Sequence, residues 1–432
     1  MKQKNMSTFA HVRSDVLASL VIVCIAVPLS LGIAMASGMP PLSAITAAII
    51  GGILVGFMTG APIVVSGPAA GLAAIVFTYA HDYGVTGVYT ITILAGIIQL
   101  VLGSLRMGRY IALMPKAILE GVLSAIGVSI LLGQLHVLMG QKMPGKVLSN
   151  LTGLPHSLSQ VFDAQYALGI HPAFACGLLA LAIQLVWPKL MKKVKWLPGA
   201  LPATLLGTAL ALSFDIPRVQ LGALWPHVAE AFSLQVQNLE LSSWLRLLSP
   251  ALALAIVASA ESLLTARAMD VLVQKKHAHL TTNFEKELMA QGCGNIVSGV
   301  CGGMPITGVM VRSAANFEAG AVSRYSTMMH GGLILLGVVS FPWLLEKIPL
   351  AVLAAILVLT GWKLFNVKGL ISALRYHPRQ AYSWPLTMAA ILATDLLKGL
   401  LIGLGVWLLD EAFQKYYRKP EAAKAVVKDT QI

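Results

Sequence analysis

Val65-Ser66-Gly67-Pro68-Ala69-Ala70-Gly71 and, in the second half of the chain, Gly302-Gly303-Met304-Pro305-Ile306-Thr307-Gly308 are two short glycine- and proline-bearing breaks in nearly continuous apolar sequence. Each contains Pro-x-x-Gly, with Pro305 standing 237 positions after Pro68. In hydrocarbon a helix can break only where the freed backbone faces protein or a cavity, and matched breaks in two halves mark a binding site near the midplane. The two stretches therefore read as facing half-helices. Proline suits a first helical turn, because its missing N–H has no intrahelical partner there. One half-helix is thus expected to open at Gly67-Pro68 and the other at Pro305. Each start presents unpaired N–H groups and the positive end of a helix dipole, which together attract an anion. Ser66, Gly67, Ala69, Ala70 and Gly71 on one side, and Thr307, Gly308, Val309 and Met310 on the other, are the candidate anion-binding positions. Gly71 and Gly308, without side chains, let a neighbour approach the backbone closely.

The surrounding composition demands a bilayer. Charged residues are 11% of the 432 and apolar ones 57%, against roughly a quarter charged in soluble domains. Between Asp15 and Arg106 the one charged side chain is Asp82. The first apolar stretch, from Val16 to about Ser37, is too long for a signal-peptide core and runs into a second, so it is expected to stay as a span. Cys24, Cys176, Cys293 and Cys301 show no metal or redox spacing and read as small core residues.

Fourteen apolar segments can be drawn: 16–37, 42–59, 67–80, 86–105, 110–135, 172–188, 197–213, 249–266, 287–300, 305–317, 327–345, 349–365, 380–396 and 398–414. Their alternating loops sort the 31 basic residues, 24 on one side against six on the other, with Arg312 inside a span. The positive-inside rule places both termini on the basic, cytoplasmic side. The net charge of +13 is then topological, and no aromatic-interleaved basic face points to nucleic acid. The expected architecture is an all-α polytopic membrane protein, with half-helices at spans 3 and 10. A cytoplasmic segment 1–14 leads into seven spans over 15–213, an outer linker over 214–248, seven inverted spans over 249–416 and a short tail 417–432. Segments 136–171 and 214–247 are expected to hold short interfacial helices outside the membrane.

Few side chains inside the spans can carry chemistry. Glu261 lies deep in the eighth, where a carboxylate is costly and a functional site is the default reading. Thr265, at i+4, shares its helix face. Their oxygens could hold sodium, or Glu261 could carry a proton; the alternative is a structural ion pair with Arg312. Arg312, about two turns past Pro305, either adds positive potential behind the tenth span's start or snorkels to the cytoplasmic surface. Ser30, two residues after Pro28, either lines a cavity or bonds back to its own helix. Glu120 is expected to pair with Lys116, and His330 to hydrogen-bond at the head of its span. No HExxH, GxSxG or Walker sequence is present, and His277 and His279 have no nearby carboxylate, so neither an enzyme nor a cofactor or structural metal is expected.

Several stretches together resemble the SulP family of anion transporters. They are Val27 through Gly38, Val65 through Gly71, Glu261-Ser262-Leu263-Leu264-Thr265-Ala266-Arg267, Asn283 through Gly294, and Gly302 through Asn316. The resemblance covers residues 13–416 and implies fourteen helices in two inverted seven-helix repeats. It further implies a core domain (spans 1–4 and 8–11) that moves against a gate domain, and a homodimer. An anion is implied between the starts of spans 3 and 10, at Ala69, Ala70, Gly308, Val309 and Met310. Glu261 falls on the family's coupling-ion carboxylate with Thr265 beside it, and the glutamate leans towards protons rather than sodium. The resemblance would also imply a STAS domain after the last span, but the short tail is too small to hold one, so none is expected. The wording is closest to a bacterial branch associated with carbonic anhydrases, which implies bicarbonate first and sulfate next, in the bacterial inner membrane. An uncoupled exchanger or channel is the rival class.

Overall fold

The computed structural model describes residues 8–111, 115–143, 147–162, 169–190, 198–237, 241–274, 281–376, 382–394 and 398–413. The basic loop with His277 and His279 and the 417–432 tail lie outside them. The chain begins with α1 (Thr8–Ala36), α2 (Pro41–Ile50), a π-helical turn (Gly51–Val55) and α3 (Gly56–Met58), then strand β1 (Ser66–Pro68). A 3₁₀ turn (Ala70–Leu72) leads into α4 (Ala73–Ser104), followed by α5 (Gly108–Ile111), α6 (Lys116–Leu138), α7 (Val147–Ser159), α8 (Pro172–Leu190) and α9 (Ala200–Ala211). Next come α10 (Leu224–Gln237), α11 (Leu241–Arg246), α12 (Leu248–Val273), α13 (Phe284–Val300) and strand β2 (Ile306–Gly308). The remainder is α14 (Met310–Glu318), α15 (Tyr325–Ser340), α16 (Pro342–Leu345), α17 (Leu350–Phe365), α18 (Val367–Tyr376), α19 (Ser383–Ala393) and α20 over 398–413.

Seven helices among the described residues are long and apolar enough to cross a bilayer, and three more are shorter but apolar. The all-α polytopic architecture expected from the sequence is thus what forms. One long helix, Ala70–Ser104, contains two of the expected spans, and Gly84 breaks it with φ 71° and ψ 173°. Short helices α7, α10 and α11 occupy the two segments expected to hold them. The stretch 366–379, between two apolar segments, was expected to be a basic loop, but 367–376 form α18, with no buried residue. Ile371, Leu374 and Tyr376 are exposed beside Lys368 and Arg375, the amphipathic pattern of a helix lying in a membrane interface.

The chain divides into two compact units. Met114–Val128 and the chain from Lys363 onward form one of them. Its interior is tied by Trp384, which donates to Ser124 Oγ at 2.8 Å, and by Ser124, which donates to Phe365 O at 3.1 Å. Glu120 does not pair with Lys116; its Oε2 accepts from Asn366 Nδ2 at 3.4 Å. Asn366 reaches it because φ of +45° turns the chain between α17 and α18.

The other unit, Met1–Leu113 with Ser129–Trp362, contains both glycine-proline breaks. Its central seam joins α4 to α13 through glycines. A Cβ on Gly96 would stand 2.6 Å from Gly292 O, and one on Gly292 would stand 2.8 Å from Gly96 O. Helices in lipid associate by such close backbone approach, because lipid tails supply no hydrophobic drive between them. The π turn behaves similarly: a Cβ on Gly51 would meet Ser66 O, and one on Gly52 would meet the Gly331 backbone, each at 2.6 Å. Helix 2 thereby lies directly on β1 and α15. His227 of α10 hydrogen-bonds Gly302 O at 3.0 Å and meets the Tyr89 ring edge-on.

Candidate functional site

β1 and β2 form one antiparallel pair, with Ser66 opposite Gly308, Gly67 opposite Thr307 and Pro68 opposite Ile306. The local two-fold of this pair passes through Gly67 and Thr307, so it carries residues 66, 67 and 68 onto 306, 307 and 308. The true repeat spacing is therefore 240, not the 237 of the two prolines. Neither proline begins a helix: Pro68 ends β1 and Pro305 precedes β2. Proline fits an extended strand end as readily as a helix start, since its fixed φ near −65° is allowed in both and neither needs its N–H.

The helices begin just beyond the strands. Leu72 N donates to Ala69 O at 3.1 Å and Ser313 N to Val309 O at 2.9 Å, each the first bond of its turn. The N–H groups ahead of them, of Ala70 and Gly71 and of Met310, Val311 and Arg312, have no intrahelical acceptor. Val309 itself is tied down, its N–H donating to Val65 O at 2.9 Å. Gly308 N donates to Ser262 Oγ at 3.0 Å, one residue along α12 from Glu261. The two helix starts thus flank one two-stranded antiparallel pair.

The charged pair enters at the glycines. Arg312 is fully buried, which removes the snorkelling reading. Its Nη2 donates to Ser30 Oγ at 2.9 Å and to Pro68 O at 3.3 Å, while Nε and Nη1 have no partner. Ser30 accordingly faces the arginine rather than bonding back to its own helix. A Cβ at Gly67 would lie 2.5 Å from Arg312 Nη1, so the guanidinium occupies the space that glycine leaves. One turn further, a Cβ at Gly71 would collide with the Glu261 carboxylate. Glu261 and Arg312 form no ion pair, and Glu261 Oε2 has no hydrogen-bond partner. Thr265 is buried at i+4 from Glu261, with no hydrogen bond between them. Thr307 is buried with its hydroxyl unpaired, Ala69 and Ala70 are buried, and Met310 is exposed. His330 is fully buried near the start of α15, and neither ring nitrogen meets full hydrogen-bond geometry.

The supporting frame was not read from the sequence. Glu287 Oε2 accepts from Thr59 Oγ1, Gly60 N and Ala61 N at 2.5, 3.0 and 3.2 Å. Its other oxygen accepts from Gln291 Nε2 at 2.8 Å, and Gln291 Nε2 also reaches Ser66 Oγ at 2.7 Å. Asn295 brackets β2, accepting from Ile306 N at 2.6 Å and donating to Ile306 O at 3.1 Å. Ser313 Oγ accepts from Val65 N, and Asn316 donates to Ile63 O, each at 3.0 Å. The signal was present: Glu287, Gln291, Asn295 and Ser298 recur along one face of an otherwise apolar helix.

A model of the Sulfate permease family matches residues 12–387. The chain belongs to the sulfate permease family. Among curated relatives it is 28% identical over 396 residues to the putative sulfate transporter YvdB of Bacillus subtilis, covering 91% of this chain and 72% of that protein. It is likewise 28% identical over 422 residues to the bicarbonate transporter BicA of Picosynechococcus, covering 94% of this chain and 70% of that one. The sulfate permease fold is seen again in the transmembrane domain of a cyanobacterial BicA, with TM-score 0.74, 24% identity and coverage of 92% and 98%. Murine Slc26a9 in its inward-facing state superposes with TM-score 0.78 at 17% identity, covering 96% of this chain and 70% of that one.

Proposed function

We propose that the chain is a secondary active transporter of a small inorganic oxyanion, bicarbonate first, working by alternating access. The observation that carries this reading is Arg312: a fully buried guanidinium with two nitrogens unpaired, in the first turn of one helix start and against Gly67 and Pro68 O just ahead of the other. Buried unpaired donors around one point call for an anion. Charge balance favours a monoanion. Arg312 with an ionised Glu261 sums to zero; a proton or sodium on Glu261 leaves one net positive charge, which bicarbonate neutralises and sulfate overshoots. Sulfate is the alternative, supported by the names of relatives such as YvdB.

Glu261 is the coupling-ion residue in this reading, with Thr265 as a second oxygen and the ion a proton or sodium. The protein sits as a homodimer in a bacterial inner membrane, with both termini cytoplasmic, and acts as a transporter rather than an enzyme. The test is uptake of labelled bicarbonate and of sulfate into proteoliposomes under separate sodium and proton gradients, with Glu261→Gln beside wild type. One gradient should drive uptake in the wild type and fail to do so in the variant. Uptake indifferent to both gradients and to the substitution would refute coupling through Glu261.

A further inference from the structure

A cleft whose lining includes no residue of the β1–β2 site lies on the face that charge sorting assigns to the cytoplasm. It is about 600 Å³, and its walls include Phe57, Met58 and Met289, with Lys286 and Arg324 among its lining residues. Glu285 also lines it, but its carboxylate is occupied: Oε2 accepts from Gly108 N at 2.8 Å and Oε1 from Arg109 N at 3.3 Å. Neither Lys286 nor Arg324 has a carboxylate partner among the described residues. Arg324 is held in place from one side, with Nη1 donating to Phe57 O at 3.0 Å and the guanidinium over the Phe57 ring. The cleft thus combines two unneutralised cations with an apolar wall.

Its position matches a membrane interface. Lys286 stands in the first turn of α13, and Met289, Cys293 and Val297 follow it along the same helix face, Met289 and Val297 exposed as Lys286 is and Cys293 half-buried. A ligand that fits must have an anionic head for the cations and an apolar tail to run along that strip. The geometry points to an anionic phospholipid of the cytoplasmic leaflet, its phosphate between Lys286 and Arg324 and one chain against Phe57 and Met289. This rests on the charge-sorted orientation but not on the identity of the transported anion. The cleft also adjoins the clamp. Phe57 and Met58 immediately precede Thr59, Gly60 and Ala61, and Lys286 immediately precedes Glu287, which binds those three residues. A bound headgroup bridges the same two segments and braces β1 from the cytoplasmic side.

The experiment is native mass spectrometry of the purified full chain, equilibrated with equal amounts of phosphatidylglycerol and phosphatidylcholine. The wild type should retain phosphatidylglycerol several-fold over phosphatidylcholine. The Lys286→Gln/Arg324→Gln double variant should lose that preference, and Lys286→Arg/Arg324→Lys should keep it. Lys286→Gln alone leaves the Arg324 bond to Phe57 intact and should weaken the preference even if the double variant folds poorly. Lys347→Gln removes a cation that lies over the Trp343 ring on the opposite face and should change nothing. Equal retention by the wild type, or an undiminished preference in Lys286→Gln, overturns the proposal. Thermal stabilisation by inorganic phosphate equal to that by phosphatidylglycerol overturns the lipid and leaves a phosphate site. Lipid retention is read without transport, so a failed uptake assay and a failed lipid site remain distinguishable.

Discussion

Replacing Glu287 separates two roles that a buried carboxylate can have, charge and hydrogen-bond acceptance. Truncation to alanine removes an acceptor of four donors. Three of them have a second partner: Thr59 Oγ1 reaches Ala61 O, Ala61 N reaches Thr59 Oγ1, and Gln291 Nε2 reaches Ser66 Oγ. Gly60 N has none, and an orphaned buried N–H costs about 1–3 kcal/mol. The vacated space adds about 1–2 kcal/mol, and release of a desolvated carboxylate gives some of this back, for a net loss of about 2–4 kcal/mol.

Glu287→Gln behaves differently. Its amide oxygen can keep Thr59, Gly60 and Ala61, and its NH₂ can donate to Gln291 Oε1, which has no partner in the native arrangement. A flip of the Gln291 amide is enough, and the Ser66 hydroxyl can then donate to the same oxygen. The expected cost is under about 1 kcal/mol. Thermal unfolding followed by size-exclusion chromatography in detergent should place Glu287→Ala several degrees below wild type, at about 1–2 °C per kcal/mol for a chain of this size, and Glu287→Gln within about 1 °C. A Glu287→Gln variant as damaged as Glu287→Ala would refute the acceptor account and show that the charge itself is required.

Arg312→Gln should weaken anion affinity by at least about tenfold, measured by substrate-dependent thermal stabilisation, with Arg312→Lys intermediate because it lacks the planar fork; unchanged affinity would remove Arg312 from the site. Gly292→Ala drives a Cβ into the α4 backbone and should cost about 1–3 kcal/mol, whereas Gly71→Ala meets the movable end of Glu261 and should fold but alter gradient-driven uptake. The reverse ranking in folding yield would contradict the seam. Burial holds His227 below the ordinary histidine range, against the opposing pull of its bond to Gly302 and of Glu230. A histidine so depressed stabilises the docked α10 above about pH 6.5 and loses that contribution as pH falls through its folded value. Protection factors in α10, referenced to the intrinsic exchange rate at each pH, should therefore fall on acidification in the wild type, and His227→Gln should abolish that fall.

Much of the fold was legible because a bilayer leaves so few choices. Apolar runs located the long apolar helices, and the glycine-proline breaks located the two interrupted segments that pair. The breaks were nevertheless misaligned by three residues. A proline motif reports local backbone geometry, and that geometry suits a strand end as well as a helix start. Glu261 and Arg312 stood out because charge inside a span is expensive. Glu287 escaped notice because it lies close to a basic loop at the end of an apolar segment, where a carboxylate is cheap in sequence terms.

The sequence by itself determined an all-helical membrane chain with two interrupted segments, a buried carboxylate and a buried guanidinium, since hydrophobicity and the cost of charge depend on residue type alone. Tertiary structure decided which atoms meet: Arg312 at Gly67 and Ser30, Glu261 at Gly71, and Gln291 on Ser66. Those contacts join residues up to 282 positions apart, and they arise from helix crossings and a two-stranded register that no local pattern encodes.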